Sequence, residues 1–182
     1  NGFITVNEEK MSKSLGNFFL VVDILEHFEP ETLRFFILST HYRSPLDFSD
    51  ERLKEAERSL TRLATAQENL RTLEQIPGVG PTEESLALQN KIAGLRTEFL
   101  EDMRDDFNTA LAISHMFALG REINTYYQHV VSTNNRPDGK LVNLMKKVFA
   151  EMCSIIGVLE KTASEESADA GLENALVEMM IG

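Results

Sequence analysis

Lys10-Met11-Ser12-Lys13-Ser14, continued as Leu15-Gly16-Asn17, is the stretch best equipped for chemistry. Two ammonium groups stand three residues apart, with hydroxyls interleaved and a Gly-Asn turn behind them. A triphosphate needs such a wall: point-charge donors for its oxygens, short hydroxyl side chains and a backbone free to close over the ligand. The expectation is an ATP-phosphate site in which Lys10 and Lys13 act on the phosphates and Met11, Ser12 and Ser14 complete the loop. The competing reading is a solvated Lys/Ser loop ahead of a helix.

Other polar candidates are sparser. Arg43 is suited to meeting a phosphate bidentately and Tyr42 to stacking on a base or ribose. The alternative is that Tyr42 packs a stiff joint and Arg43 pairs with an acid. His41 reads as a structural histidine, since a lone imidazole carries little signal without a partner. Arg136, Lys140, Lys146 and Lys147 form the densest basic cluster. They are candidates for an RNA-facing patch, or for a helix face that pairs with neighbouring acids. Arg58, Arg62 and Arg71 read as a solvated helix face, with an RNA-facing stripe as the alternative. Cys153 lies in an apolar helical stretch and reads as a packing thiol. No Cys/His spacing resembles a zinc site, so no metal ligand is assigned.

Composition narrows the class. Of the 182 residues 42% are hydrophobic and 26% charged, enough apolar content to bury a core. No apolar run approaches the ~20 residues of a spanning helix. The single cysteine and the lack of a signal-peptide pattern point to a reducing cytoplasm. A formal net charge of −11 argues against a nucleic-acid partner, yet binding needs only a local basic patch. The first residue is Asn1 rather than Met, so the chain reads as a piece of something longer.

The elements that must position the lysines follow from the spacing. Residues 2–12 read as a strand or hairpin delivering the loop, or as a frayed terminus whose sheet partners are missing. Phe18 to Phe28 and Glu31 to His41 read as short helices, with Pro30 at the start of the second. The inner face of the second is expected to be Leu33, Phe36, Ile37 and Thr40. Pro45 makes residues 41–48 an extended turn. Ser49 then caps a long helix to Gln75, with Leu53, Ala56, Leu60, Leu63 and Leu70 on its inner face. Thr82 caps the next, striped by Leu88, Ile92, Leu95, Phe99 and Met103. Asn108 caps a third, in which Gly120 is expected to allow close approach of a neighbour. Lys140 to Leu159 is the fourth, with Leu141, Leu144, Val148, Met152, Ile155 and Leu159 facing inward. The fold class is mostly α: a short β/loop segment and small helices, then an antiparallel four-helix bundle. Residues 161–171 read as an exposed acidic linker, and residues 172–181 as the start of an amphipathic helix.

The lysine stretch resembles the KMSKS signature of class I aminoacyl-tRNA synthetases, with Leu15-Gly16-Asn17 as its usual continuation. His41-Tyr42-Arg43-Ser44-Pro45-Leu46-Asp47-Phe48-Ser49 resembles a stretch of cysteinyl-tRNA synthetases, and Asp105-Asp106-Phe107-Asn108-Thr109 resembles the DDFNT stretch of their helical domain. Ala110 and Leu111 depart from the proline and acid usual there. The resemblance implies residues 1–48 as signature loop and stem-contact region, 49–160 as anticodon-binding bundle, and 161–182 as linker and first part of a C-terminal helix. It implies a cysteine–tRNA ligase using ATP with Mg, binding tRNA(Cys) and cysteine as a cytoplasmic monomer without membrane contact. The family's zinc ligands lie before the signature loop and so outside this chain. Residues 1–182 alone are then expected to be inactive. Two other readings remain: a ligase joining cysteine to a small amino-sugar, and a non-catalytic helical interaction module.

Overall fold

The computed structural model describes residues 2–6 and 8–160. The readings for residues 161–182 lie outside the described residues.

Three short strands make the N-terminal layer. β1 (Ile4–Val6) pairs antiparallel with β2 (Glu9–Lys10), and on its other edge pairs parallel with β3 (Leu46–Phe48) in the register Ile4↔Leu46 to Val6↔Phe48. The sheet partner of residues 4–6 is therefore in this chain, contrary to the frayed-terminus reading. Phe48, 6% exposed, joins the sheet to the helices through Phe36 and Phe19, whose ring centroids lie 5.9 and 4.5 Å away. Gly2 lies so close to the 41–45 turn that a Cβ there would stand 2.0 Å from the Ser44 carbonyl oxygen.

Two small helices connect the strands. α1 (Val21–Leu25) is a bare turn, shorter than the apolar run from Phe18 to Phe28 implied. Leu20, Val21 and Val22 are exposed and only Phe19, Ile24 and Phe28 pack on described neighbours, so little packing extends the helix, and packing rather than propensity stabilises most helices. α2 (Pro30–Leu38) starts on its proline, but its buried face is Thr32, Phe35 and Phe36. Ile37 points outward at 49% exposure, a register correction of one residue. α2 also fastens the end of the last helix. Arg34 Nη1 donates to the Gly157 carbonyl at 2.8 Å, and Glu31 accepts the Leu159 N–H.

Four long helices follow: α3 (Asp50–Gln75), α4 (Glu83–Arg104), α5 (Thr109–Thr133) and α6 (Gly139–Ile156). Ser49, Thr82 and Asn108 cap the first three as expected, each side-chain oxygen accepting an N–H of the first turn. The side-chain pairs give the directions. Gly120 faces Leu63 and Ala66, and Asn124 meets Asn69, so α3 and α5 run in parallel. Ser85 and Arg96 meet Asp138 and Glu151, so α4 and α6 do too. Lys91 with Glu122 and Asp102 with His115 set α4 antiparallel to α5, and Glu74 with Lys146 and Gln67 with Leu159 set α3 antiparallel to α6. The result is an up-down-up-down bundle. A Cβ on Gly120 would lie 3.6 Å from Leu63, ordinary contact, so the expected close approach there does not demand glycine.

α6 ends earlier than its apolar pattern suggests. Gly157 at φ +74° turns the chain, Ile156 replaces the exposed Ile155 in the core, and Val158 tucks in beyond the turn. Its start rests on Asp138, only 2% exposed, which accepts the N–H groups of Lys140 and Leu141, the Ser85 hydroxyl at 2.6 Å and the Gln89 amide at 3.1 Å. Burial opposes this charge, but the Ser85, Lys140, Leu141 and Gln89 donors outweigh it and hold the carboxyl below the usual carboxylate range. A group depressed in the folded state contributes stability above its unfolded pKa and loses it as pH falls through the folded value. Asp138→Ala is expected to cost about 2–3 kcal/mol at pH 7, from a lost cap and stranded donors. That deficit should shrink below about pH 4. Urea midpoints of both proteins at pH 7 and pH 3 check it, and an equal gap at the two pH values counts against a charged cap.

Candidate functional site

The lysine loop begins where β2 ends. Met11 N–H donates to the Ile4 carbonyl at 3.1 Å, so the loop's root is an extension of the sheet. Beyond it the backbone folds on itself. Asn17 Oδ1 accepts the Ser12 N–H at 2.8 Å while Asn17 Nδ2 donates to the Lys10 carbonyl at 3.2 Å. One amide thus bridges both sides of the loop, as a strand partner would. Gly16, at φ +66°, closes a turn by donating its N–H to the Lys13 carbonyl at 3.2 Å. Ser12 Oγ accepts the Leu15 N–H and lies 3.2 Å from Ser14 Oγ, so the two hydroxyls face each other.

This frame leaves the cations outward. Lys10 and Lys13 are exposed, and neither forms an ion pair with a described residue. Lys10 Nζ sits 5.4 Å from the centroid of the Phe3 ring, a contact that steadies it without neutralising it. Met11 and Ser12 are half-buried and Ser14 is exposed. Unpaired ammonium groups on a pinned loop are available to an incoming polyanion.

Two carboxylates fasten this unit to the helices. Asp47 on β3 accepts the Thr5 hydroxyl at 2.7 Å, the Glu8 N–H at 2.8 Å and Arg52 Nε at 3.2 Å. The Glu8 N–H, then the Thr5 hydroxyl, hold its carboxyl below the usual range. Asp106, in the turn between α4 and α5, accepts the Tyr42 hydroxyl at 2.6 Å and Arg43 Nη2 at 3.0 Å, with Arg43 Nε 2.9 Å from its other oxygen. The Tyr42 hydroxyl, then the Arg43 charge, hold this carboxyl low. His41 stacks on Tyr42 with centroids 4.9 Å apart, and its Nε2 is 3.9 Å from Asp106. Of the two readings for Tyr42 and Arg43, the geometry is that of the joint. The stretches 41–49 and 105–109 meet through these side chains.

The basic candidates lie elsewhere and are partly engaged. Arg136 Nε and Nη2 donate to the Pro77 and Gly78 carbonyls at 2.8 and 3.3 Å, tying two loops at the far end of the bundle. Lys146 Nζ is 2.6 Å from Glu74. The acid-pairing alternative describes Lys146, whereas Arg136 is a loop residue spent on backbone carbonyls. Lys140 and Lys147 are exposed, and Lys147 lines a cavity of about 570 Å³ between α3 and α6. Arg71 pairs with Glu68, and Arg62 lies over Phe117. α3 spans about 39 Å at 1.5 Å per residue, and that length separates the lysine loop from Arg136.

Sequence reasoning gave no role to Asn17, Asp47 or Asp106. Asn17 carried a local signal, an Asn behind a Gly five residues from Ser12. The two aspartates did not, because the partners that tie them across the fold, Thr5 and Glu8 for Asp47 and Tyr42 and Arg43 for Asp106, are distant in sequence.

A structural zinc does not fit the described residues. Among them no group of three or more His, Cys, Asp or Glu side chains is placed to hold a metal ion. Cys153 is buried and its thiol is pushed up to about 12, chiefly by burial, far from a ligating thiolate.

Comparison with known proteins agrees with this geometry. Residues 1–58 match the family model for the class I (C) tRNA synthetase catalytic domain, and residues 98–160 match the DALR domain. A cysteine–tRNA ligase of Shouchella clausii is 45% identical over 179 residues, covering 98% of this chain and 36% of the relative. One of Carboxydothermus hydrogenoformans is 48% identical over 168 residues, covering 91% and 35%. The chain thus spans about a third of the length of the curated relatives it matches. Among solved structures, the Agrobacterium radiobacter K84 agnB2 LeuRS, in ternary complex with tRNA and LeuAMS, superposes with a TM-score of 0.59 at 20% identity, over 87% of this chain and 22% of that one. That likeness gives the fold, and the sequence matches give the narrower assignment: the chain belongs to the cysteinyl-tRNA synthetase family of class I synthetases.

Proposed function

We propose that this chain works within an ATP-dependent cysteine–tRNA ligase, with residues 1–48 as the loop-bearing end of the catalytic unit and 49–160 as a tRNA-binding bundle. In this reading the cysteine carboxylate attacks the α-phosphorus of ATP and pyrophosphate leaves. Lys13 and Lys10 meet the β- and γ-phosphate oxygens and neutralise charge that grows on the departing pyrophosphate. Mg bound to the nucleotide supplies further charge compensation. A tRNA(Cys) terminal hydroxyl then attacks the adenylate carbonyl and AMP leaves. The observation that carries the reading is the pair of unpaired, outward lysines on a loop held by Asn17 and rooted in the sheet. Preorganised cations need no rearrangement as charge develops, which is where such groups earn their catalytic effect.

Residues 49–159 supply a long helical surface on which tRNA can lie, with Lys140 and Lys147 as exposed contacts at its far half. The protein acts as a cytoplasmic monomer, and none of its described helices is long and apolar enough to cross a membrane. The test is charging by the ligase that carries this stretch. Radiolabelled cysteine is expected to enter tRNA(Cys) transcripts with ATP dependence. Cysteine transfer to an amino-sugar but not to tRNA would replace this reading with the small-acceptor one, and no transfer to either would leave a binding module.

A further inference from the structure

Resting on the ligase reading above, we propose that Asp106 is a positioning residue for the lysine loop: its carboxylate is the point at which the helical bundle sets the attitude of Lys10 and Lys13. Asp106 sits on the bundle, in the α4–α5 turn, at φ +56° and followed by Phe107 at φ +52°. Two consecutive left-handed residues without glycine are an unfavourable backbone, kept only where the surroundings hold it. Here Asn108 N–H donates to the Asp102 carbonyl at 3.1 Å, and Thr109 Oγ1 donates to the Leu38 carbonyl at 2.7 Å. The turn is thus clamped to α4 on one side and to the end of α2 on the other, and its carboxylate is aimed at Tyr42 and Arg43.

From there the connection to the loop is continuous. The Tyr42 carbonyl accepts the Gly2 N–H at 3.1 Å, and Ser44 leaves no room for a side chain at Gly2. Leu46 N–H donates to the Phe3 carbonyl at 2.9 Å, and β3 then pairs with β1 along its length. β1 holds Met11 through Ile4, and Asn17 closes the loop around that root. Each link is a hydrogen bond of 2.6 to 3.2 Å or a backbone pair, so tilting the 41–45 turn tilts the lysines. The polar partners of the Asp106 side chain are Tyr42, Arg43 and His41, outside the loop, so its effect runs through this chain of contacts.

The pair is exposed: the Arg43 and Asp106 side chains are 66% and 41% accessible. An ion pair of that kind contributes little to global stability. Its loss is expected to show in rate, because a misplacement of about 1 Å can cost up to roughly 10² in catalysis. The experiment compares Asp106→Ala, Asp106→Asn, Arg43→Ala and the Asp106→Ala/Arg43→Ala double variant in the full ligase. Lys13→Ala is run alongside. Asp106→Ala and Arg43→Ala are each expected to lower kcat for ATP–pyrophosphate exchange about 10–100-fold, with the melting temperature within about 2 °C of wild type. The double variant should fall no further than the singles. Asp106→Asn keeps an acceptor for Tyr42 and should recover part of the rate. Wild-type kcat in Asp106→Ala overturns the proposal, as does a loss matched by a fall in melting temperature, or strict additivity. If Lys13→Ala is also without effect, the ligase reading of the loop fails; if Lys13→Ala is crippled while Asp106→Ala is not, only the positioning role fails.

Discussion

Replacing Lys13 by Ala in the ligase is expected to depress adenylate formation about 10²–10³-fold, the usual cost of one preorganised charge donor. ATP affinity should change far less. In the proposed reaction the nucleotide's metal would already neutralise much of the ground-state triphosphate, whereas the charge that Lys13 would meet grows as pyrophosphate separates. Lys13 is positioned for this by its turn: its carbonyl is held by Gly16, so the side chain leaves from a fixed base. The Lys13→Ala change removes the charge and leaves those backbone bonds in place. Pre-steady-state adenylate formation, with ATP titrated separately, separates the two effects. Exchange within a few-fold of wild type, or a loss that is all in ATP affinity, would sink the assignment.

Phe99→Ala is expected to have the largest effect on the fold, about 3–5 kcal/mol. α4 buries only Ser85, Ile92 and Phe99, so Phe99, 1% exposed, carries an unusual share of that helix's packing. Removing the ring opens a cavity between α4 and its neighbours that a rigid bundle closes poorly. Against a domain stability of roughly 5–15 kcal/mol, this is a large fraction. Urea unfolding of residues 1–182, followed by circular dichroism, measures it. A loss under about 1 kcal/mol would mean that α4 does not pack as described.

The long helices were legible because their signals are local. Ser49, Thr82 and Asn108 stand where the apolar period begins, and Leu53, Leu60 and Leu63 recur at the spacing that one buried face imposes. Asp138 is an available cap signal as well, placed just before Gly139-Lys140-Leu141, yet the spacing alone starts the fourth helix at Lys140 with no cap assigned. α1 is shorter than its apolar run suggests, because most of those residues stay exposed and only Ile24 and Phe28 reach the core. α2 was misaligned by one position, since Phe35, Phe36 and Ile37 are all apolar and a nine-residue helix gives the period too few turns to choose. β3 was hidden: Leu46-Asp47-Phe48 is too short to show alternation, and only the distant strand β1 makes it a strand. The lysine loop stands out in the sequence by residue types alone, and the structure leaves both its lysines exposed. Its fastening through Asp47 and Asp106 does not stand out, because an aspartate in sequence does not declare a partner 64 positions away.

The parallel pairing of β1 with β3 has a consequence for how the protein comes into being. Chains are made from the N-terminus, and domains generally fold in that order. Residues 4–6 are synthesised before their parallel partner and find it only when residues 46–48 have followed them. On a ribosome β1 therefore waits for β3 to emerge before it can set, and both precede the four long helices. Until then the two cations ride on an unshaped tether, and the sheet that roots them forms only after α2 and the turn behind it have been made.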